Sequence, residues 1–420
     1  MLKNRVYCLI VPWCMESGLV MLQTGMPLLA VRLGASWIAL GTIGWVAQAI
    51  RTPICFTSGH LSERVGRAAI NVPAALICAV MIFALSRAQS IWHVMVLYCI
   101  AMAAIGAFYP PLQATIGDVS PLGQLRKNLG MFNVGWCVGG ALTALAAGLL
   151  VASGLSKLFY VGAACCAMAA LLVVTWRAKH APTSPDPSSF ASRAEKVASP
   201  PVLPPDVVPA DIFPPYKGGT EGGGGDFGPL LLISRIGHFA GFFGFSMIRI
   251  LFPKLGINEF GWSEAAVAKL VAVFLWGLAV GILGANLSPW WRGKIWPQAA
   301  AQLAMLACAV GVALVCSPTF AAMRAPSLIG ALFFVYGMAQ SICYTGALYY
   351  GLSSRKGKGT NTGIHEALVS SGCVLGCLIG GIVAEKISVV APFIVLAGVV
   401  GVGMLATAAV WARRPALNVA

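Results

Sequence analysis

Stretches of about twenty apolar residues recur along this whole chain, separated by short polar breaks, and they leave it few ways to fold. A helix needs roughly 20 mostly apolar residues to cross the hydrocarbon of a bilayer. Twelve such runs fall at 8–31, 37–58, 70–86, 91–117, 129–153, 157–176, 229–252, 263–287, 295–316, 327–352, 362–384 and 389–411. The first is too long for a cleaved signal peptide and further spans follow it, so it is expected to be a membrane helix. Only 10% of the residues are charged, against about 25% in soluble domains, so the chain cannot clothe itself in a water-facing surface. Lipid offers backbone groups no hydrogen bonds, which favours helices. The pattern therefore predicts an all-α integral membrane protein with twelve transmembrane helices.

The segment 178–228 differs in kind. It carries Pro182, Pro185, Pro187, Pro200-Pro201 and Pro204-Pro205 and ends in the glycine run 222–225. Such composition cannot bury enough apolar surface to offset its ordering entropy, so a disordered tether is expected. It divides the chain into a bundle over 1–177 and a second over 229–420. Orientation follows from lysine and arginine, which concentrate in cytoplasmic loops. With the N-terminus inside, eighteen of them fall on the cytoplasmic side; the other side has six, Arg32, Arg87, Lys157, Lys254, Arg324 and Lys386. Both termini and the tether are thus expected in the cytoplasm, with the chain in the plasma membrane. The net charge of +15 records this topology. The basic residues are scattered singly, without interleaved aromatics, so no nucleic-acid partner is expected. Thirteen cysteines lie mostly inside apolar runs without zinc-ligand spacing, so no metal site and no disulfide framework is expected.

The two halves are related. Asn128-Leu129-Gly130-Met131-Phe132-Asn133, with Gly139 and Gly148, matches Asn361-Thr362-Gly363-Ile364-His365-Glu366, with Gly372 and Gly381, at a single offset of 233. The ends of the first and seventh runs, Arg32-Leu33-Gly34 and Lys254-Leu255-Gly256, also match, and that register sets Glu16 opposite His238. Two six-helix halves related this way are a transporter arrangement, with the binding site at their interface.

After the second run comes Gly59-His60-Leu61-Ser62-Glu63-Arg64-Val65-Gly66-Arg67. This resembles the loop 2–3 signature of the major facilitator superfamily, G-x-L-x-D-R-x-G-R, with Glu63 in place of the usual aspartate. The resemblance implies two pseudo-symmetric six-helix bundles and a gating role for the loop on the cytoplasmic side. Gly59 would let helices approach closely. Glu63 would face the positive end of the eleventh helix near Gly363, and Arg64 and Arg67 would pair with Asp118. The opposing reading is that these charges only set topology. The second-half counterpart, Leu287 to Lys294 with Trp290-Trp291, lacks the acid and is assigned to positioning. The superfamily's antiporter signature, G-x-x-x-G-P-x-x-G-G, survives in part as Gly139 and Gly148 on the fifth run and Gly372, Gly376, Gly380 and Gly381 on the eleventh. These glycines are expected to serve helix packing, and the missing proline argues against drug–proton antiport.

Ionisable groups inside spans are costly and point to function by default. Here they are Glu16, Arg51, Arg235, His238, Arg249, Lys269, His365 and Glu366. Arg235, Arg249 and Lys269 are also long enough to snorkel to an interface. Glu16, with Ser17 and Gln23 near it, is expected to line a central cavity, or else to form a structural pair with Arg51 or His238. His238 could share its proton. His365 and Glu366 are adjacent and point apart. Tyr344, Tyr349 and Tyr350 serve equally well as packing aromatics or ligand contacts.

The expected function is secondary active transport of a small solute by alternating access, coupled to protons through Glu16, with no cofactor. No phosphate-cradling loop is present for ATP-driven transport. Excess intramembrane positive charge favours an anionic or zwitterionic solute. The competing readings are a membrane scaffold or sensor, favoured only by the tether, and an intramembrane enzyme, for which His365-Glu366 lacks the second histidine of H-E-x-x-H.

Overall fold

The computed structural model describes residues 2–118, 125–180, 228–288, 290–353 and 358–413. The first half comprises α1 (Leu2–Arg32), α2 (Trp37–Val65), α3 (Arg67–Leu85), α4 (Ile91–Asp118), α5 (Leu125–Ser153) and α6 (Leu155–His180). The second comprises α7 (Gly228–Glu259), α8 (Glu264–Leu287), α9 (Trp296–Cys316), α10 (Pro326–Ser353), α11 (Lys358–Lys386) and α12 (Ala391–Ala412), with a short 3₁₀ helix at Pro318–Met323. Eleven of these are long and apolar enough to cross a membrane. The twelfth, α2, has the length at 29 residues but carries Gln48, Arg51, Thr52 and Ser58 in its middle. Its polarity belongs to the site described below. The expected tether falls almost wholly outside the described residues.

Each half uses the same neighbours. In the first, α1 packs on α5 and α6, α4 on α2 and α3, and α3 on α6. In the second, α7 packs on α11 and α12, α10 on α8 and α9, and α9 on α12. The bounds of α5 and α11 differ by 233 at both ends, the offset read from the sequence. The halves join through α2 against α11 and α5 against α8.

Two helices depart from simple geometry. The apolar run of α2 ends near residue 58, yet the helix continues to Val65, so most of the loop signature lies on helix. It stops at Gly66, whose φ of 94° suits glycine and whose N–H bonds to the Ser62 carbonyl. α7 is interrupted by two π-turns, Met247–Leu251 and Leu255–Glu259. In the first, the Phe252 N–H reaches back to the Met247 carbonyl. Pro253, one residue on, has no N–H to give to the carbonyl of Arg249. Wide turns of this kind are frequent at functional sites, and the first one carries Arg249.

Candidate transport site

The halves touch most intimately on the face opposite the chain ends. Arg32, at the end of α1, donates through Nε and Nη2 to the two carboxylate oxygens of Glu264 on α8, the second bond 2.7 Å long. Lys254 of α7 bonds to the Ala35 carbonyl and lies over the Trp37 ring. Glu385 of α11 accepts from the Trp37 N–H at 2.7 Å, placing an anion at the positive start of α2. Just below, Gly41 and Gly44 of α2 face Cys377 and Gly381 of α11. A Cβ on Gly381 would stand 2.9 Å from the Trp37 carbonyl and 3.1 Å from the Gly41 Cα. Backbone therefore meets backbone across the halves.

At the other face this closeness is missing among the described residues. A side chain added at Gly130 or Gly284 would meet nothing, and one at Gly59 would meet only Pro110 of its own half. Glu63 and Arg64 are exposed and have no polar partner among the described residues. Arg67 donates to the Ser62 hydroxyl at 2.7 Å. The Asp118 side chain and the surroundings of Gly363 fall outside the described residues. Among the described residues, the halves are closed on the Arg32 face and parted on the signature face.

The outer ion pair is half-exposed, with side-chain exposures of 49% and 20%, and such pairs contribute about 0–1 kcal/mol. Arg32→Ala is therefore expected to speed labelling of buried Cys377 by an impermeant maleimide from that face by no more than about fivefold. The effect should shrink at high salt. A larger change would mean that the ion pair, rather than the helix seam, keeps this face shut.

Between the faces lies a polar cleft built from both halves. Glu16 on α1 accepts a hydrogen bond from the Tyr109 hydroxyl of α4 at 2.6 Å. Tyr109 precedes Pro110, which leaves the Gly106 carbonyl without its helical donor; the Ser58 hydroxyl of α2 supplies one at 3.4 Å. Gly140 of α5 leaves room for the Glu16 side chain, and Ser17 bonds Thr143 beside it at 2.8 Å. Arg51 of α2 sits within electrostatic reach of Tyr109 and Glu366, and Glu16 within reach of Arg51 and Arg249. Arg249 is 4% exposed, and its Nε and Nη2 have no hydrogen-bond partner. It borders a small cleft with Gln23, Gly44, Gln48, Tyr98 and Cys373.

The sequence-derived candidates sort accordingly. Gln23 lines the cleft, Glu16 lies within electrostatic reach of Arg51, and Glu366, exposed while His365 is buried, lies within reach of Arg51. His238 does not join them. It stacks on His365 with ring centroids 4.3 Å apart, beside Tyr344 and Phe242, in the seam between α7 and α11. The expected proton sharing between Glu16 and His238 is thus corrected. Equivalent positions of the repeat lie on opposite sides of the symmetry axis, and His238 is turned into its own half. Snorkelling is corrected for Arg249, which is buried at mid-span. Lys269 is exposed near the start of α8, and Arg235 bonds Asn361 at 2.8 Å. At Gly139, Gly148, Gly372, Gly376, Gly380 and Gly381 a Cβ would come within 3 Å of a neighbouring helix. The Trp290-Trp291 loop anchors locally, with Trp291 donating to the Ala285 carbonyl and the Gly293 N–H donating to Tyr350. Tyr98, Tyr109 and Gln48 escaped the sequence reading. Mid-span polarity was the signal for Gln48, whereas the tyrosines read like any of the nine.

Two like-built six-helix halves around a charged cleft, closed on one face and parted on the other, define a membrane-transporter fold. A sequence profile of the Major Facilitator Superfamily matches residues 74–354, and the chain belongs to that family. It is a multi-pass membrane protein of transporter type, not an enzyme. Similar solved structures include a variant of the peptide transporter POT in complex with sulfate (TM-score 0.69, 14% identity, 98% of this chain and 94% of that one). They also include a variant of the nucleoside transporter NupG (TM-score 0.65, 14% identity, 98% and 99%). A third is an inward-facing, unoccupied bacterial homologue of the human lysosomal transporter Spinster (TM-score 0.61, 16% identity, 97% and 95%). No curated protein sequence matches this chain.

Proposed function

We propose that this chain is a secondary active transporter that moves a small anionic or zwitterionic solute by alternating access, driven by protons. The observation that carries the reading is the Glu16 carboxylate, bonded by Tyr109 and placed near Arg51 and Arg249 from two different halves. A proton on that group changes the field felt by cations on both sides of the interface, which is what coupling requires. Arg51 and Arg249 have Glu16 and Glu366 within electrostatic reach, so the site can hold opposite charges of one solute. The loop signature on α2, with Glu63, Arg64 and Arg67, supports a gate on the face now parted. The distribution of lysine and arginine supports placing that face in the cytoplasm, with the chain in the plasma membrane. Similarity to a nucleoside transporter and a peptide transporter supports a small-molecule cargo. The test is proteoliposomes given a mixed metabolite extract with and without an inside-alkaline gradient, followed by mass spectrometry. At least one solute should accumulate with the gradient alone, about tenfold per pH unit for each proton coupled. Gradient-independent contents throughout would refute the proposal.

A further inference from the structure

Arg249 is the least explained charge in the molecule. It lies ten residues before the end of α7 at Glu259, about 15 Å along a helix and so near the middle of a bilayer core about 30 Å thick. That is beyond snorkelling range. Among the described residues no acid lies within ion-pair distance of its guanidinium; Glu16 influences it only through space. The other polar groups lining the small cleft beside it, Gln23, Gln48, Tyr98 and Ser246, are neutral and cannot supply a counter-charge. A buried charge without a partner is strongly destabilising, so its retention at this position calls for a partner that comes and goes.

The side chain is also held ready. The Phe245 ring lies beneath the guanidinium, 5.2 Å from ring centroid to Cζ, and the π-turn sets its register on the cleft. Nε and Nη2, which form one edge of the guanidinium fork, are both buried and without a hydrogen-bond partner. The same edge of Arg32 grips both oxygens of Glu264 elsewhere in this molecule. A planar carboxylate matches that edge with two parallel bonds.

We propose that Arg249 is the binding residue for a carboxylate on the transported solute, docked on its guanidinium at the cleft. The assignment rests on the transport reading and narrows its substrate class to organic carboxylates, amino acids among them. The test is the thermal stability of the detergent-purified full chain. The probes are lactate, succinate, alanine, glutamate and phenylacetate, each against its amide or methyl ester, with inorganic phosphate as a tetrahedral control. At least one carboxylate should raise Tm by about 2 °C or more and its neutral partner should not. Arg249→Gln should abolish the response; Arg249→Lys, which keeps the charge but loses the fork, should weaken it. An unliganded Tm near that of the parent for either variant confirms that the site, and not the fold, is lost. Equal response to neutral partners, response to phosphate alone, response surviving Arg249→Gln, or no carboxylate response overturns the assignment. Carboxylate-specific stabilisation without gradient-driven flux would instead sink the transport reading. Gradient-driven accumulation of neutral or cationic solutes alone would sink the carboxylate site and leave transport standing.

Discussion

Proteoliposomes carrying Glu16→Gln are expected to lose gradient-driven accumulation altogether while still exchanging solute across equal pH. One pH unit is worth about 1.4 kcal/mol per proton, a tenfold accumulation, and only a group that takes up and releases that proton can convert it. Glutamine fills the same space and still accepts from Tyr109, which donates to Glu16 at 2.6 Å in the parent. It carries no titratable proton, so the carrier behaves as though permanently protonated. Accumulation per pH unit should fall to about one, with counterflow within a few-fold of the parent. Preserved counterflow also certifies that the variant is folded. Tyr109→Phe keeps the carboxylate and removes its donor, so coupling should slip only in part. Full gradient-driven uptake in Glu16→Gln would remove Glu16 from the coupling step.

A second large effect is expected at the seam between α2 and α11. Gly381→Leu puts a branched side chain where even a Cβ stands 2.9 Å from the Trp37 carbonyl. Overpacking of this sort costs about 1–3 kcal/mol, and here the neighbour is backbone, which cannot change rotamer. If the whole strain falls on the conformation closed at the Arg32 face, its population drops up to about a hundredfold relative to the open one. Cys377, 1% exposed and packed against Gly44, should then label with an impermeant maleimide from that face, and net flux should collapse. Gly398→Leu or Gly401→Leu on α12, where an added side chain meets nothing, should change neither readout. Normal flux and a protected Cys377 in Gly381→Leu would show that the halves do not close along this seam. The contrast with the outer ion pair is one of kind. Arg32 and Glu264 meet in water and gain little, whereas the glycines meet where no solvent relieves a clash.

The architecture was largely readable from the chain because apolar run length and the offset between α5 and α11 are local properties of sequence. The site was readable only where chemistry is rare in lipid. Glu16, Arg51 and Glu366 stood out as charges inside spans and do meet in or beside the cleft. Arg249 stood out too, but the sequence offered no way to separate it from Lys269. One is turned inward by a π-turn beside Pro253, and the other leans against Gly148 near the start of its helix. Tyr109 was invisible because its importance lies in the distance to Glu16, a property of how α1 meets α4. The repeat misled in one respect, since correspondence in sequence implies equivalent environments and not contact; His238 sits in its own half accordingly.

α11 carries two glycine-bearing edges side by side. Gly372, Gly376 and Gly380 lie one turn apart against α7, while Cys373, Cys377 and Gly381 form the adjacent row, which reaches the cleft and α2. One edge is a weld within a half and the neighbouring edge is a sliding bearing between halves. Bulk added to the weld should be felt in biogenesis, as chains that never assemble. Bulk added to the bearing should be felt in turnover, as chains that assemble and stall. Neighbouring positions on a single helix are therefore subject to different selection, and tolerance to mutation along α11 should alternate between loss of protein and loss of cycling.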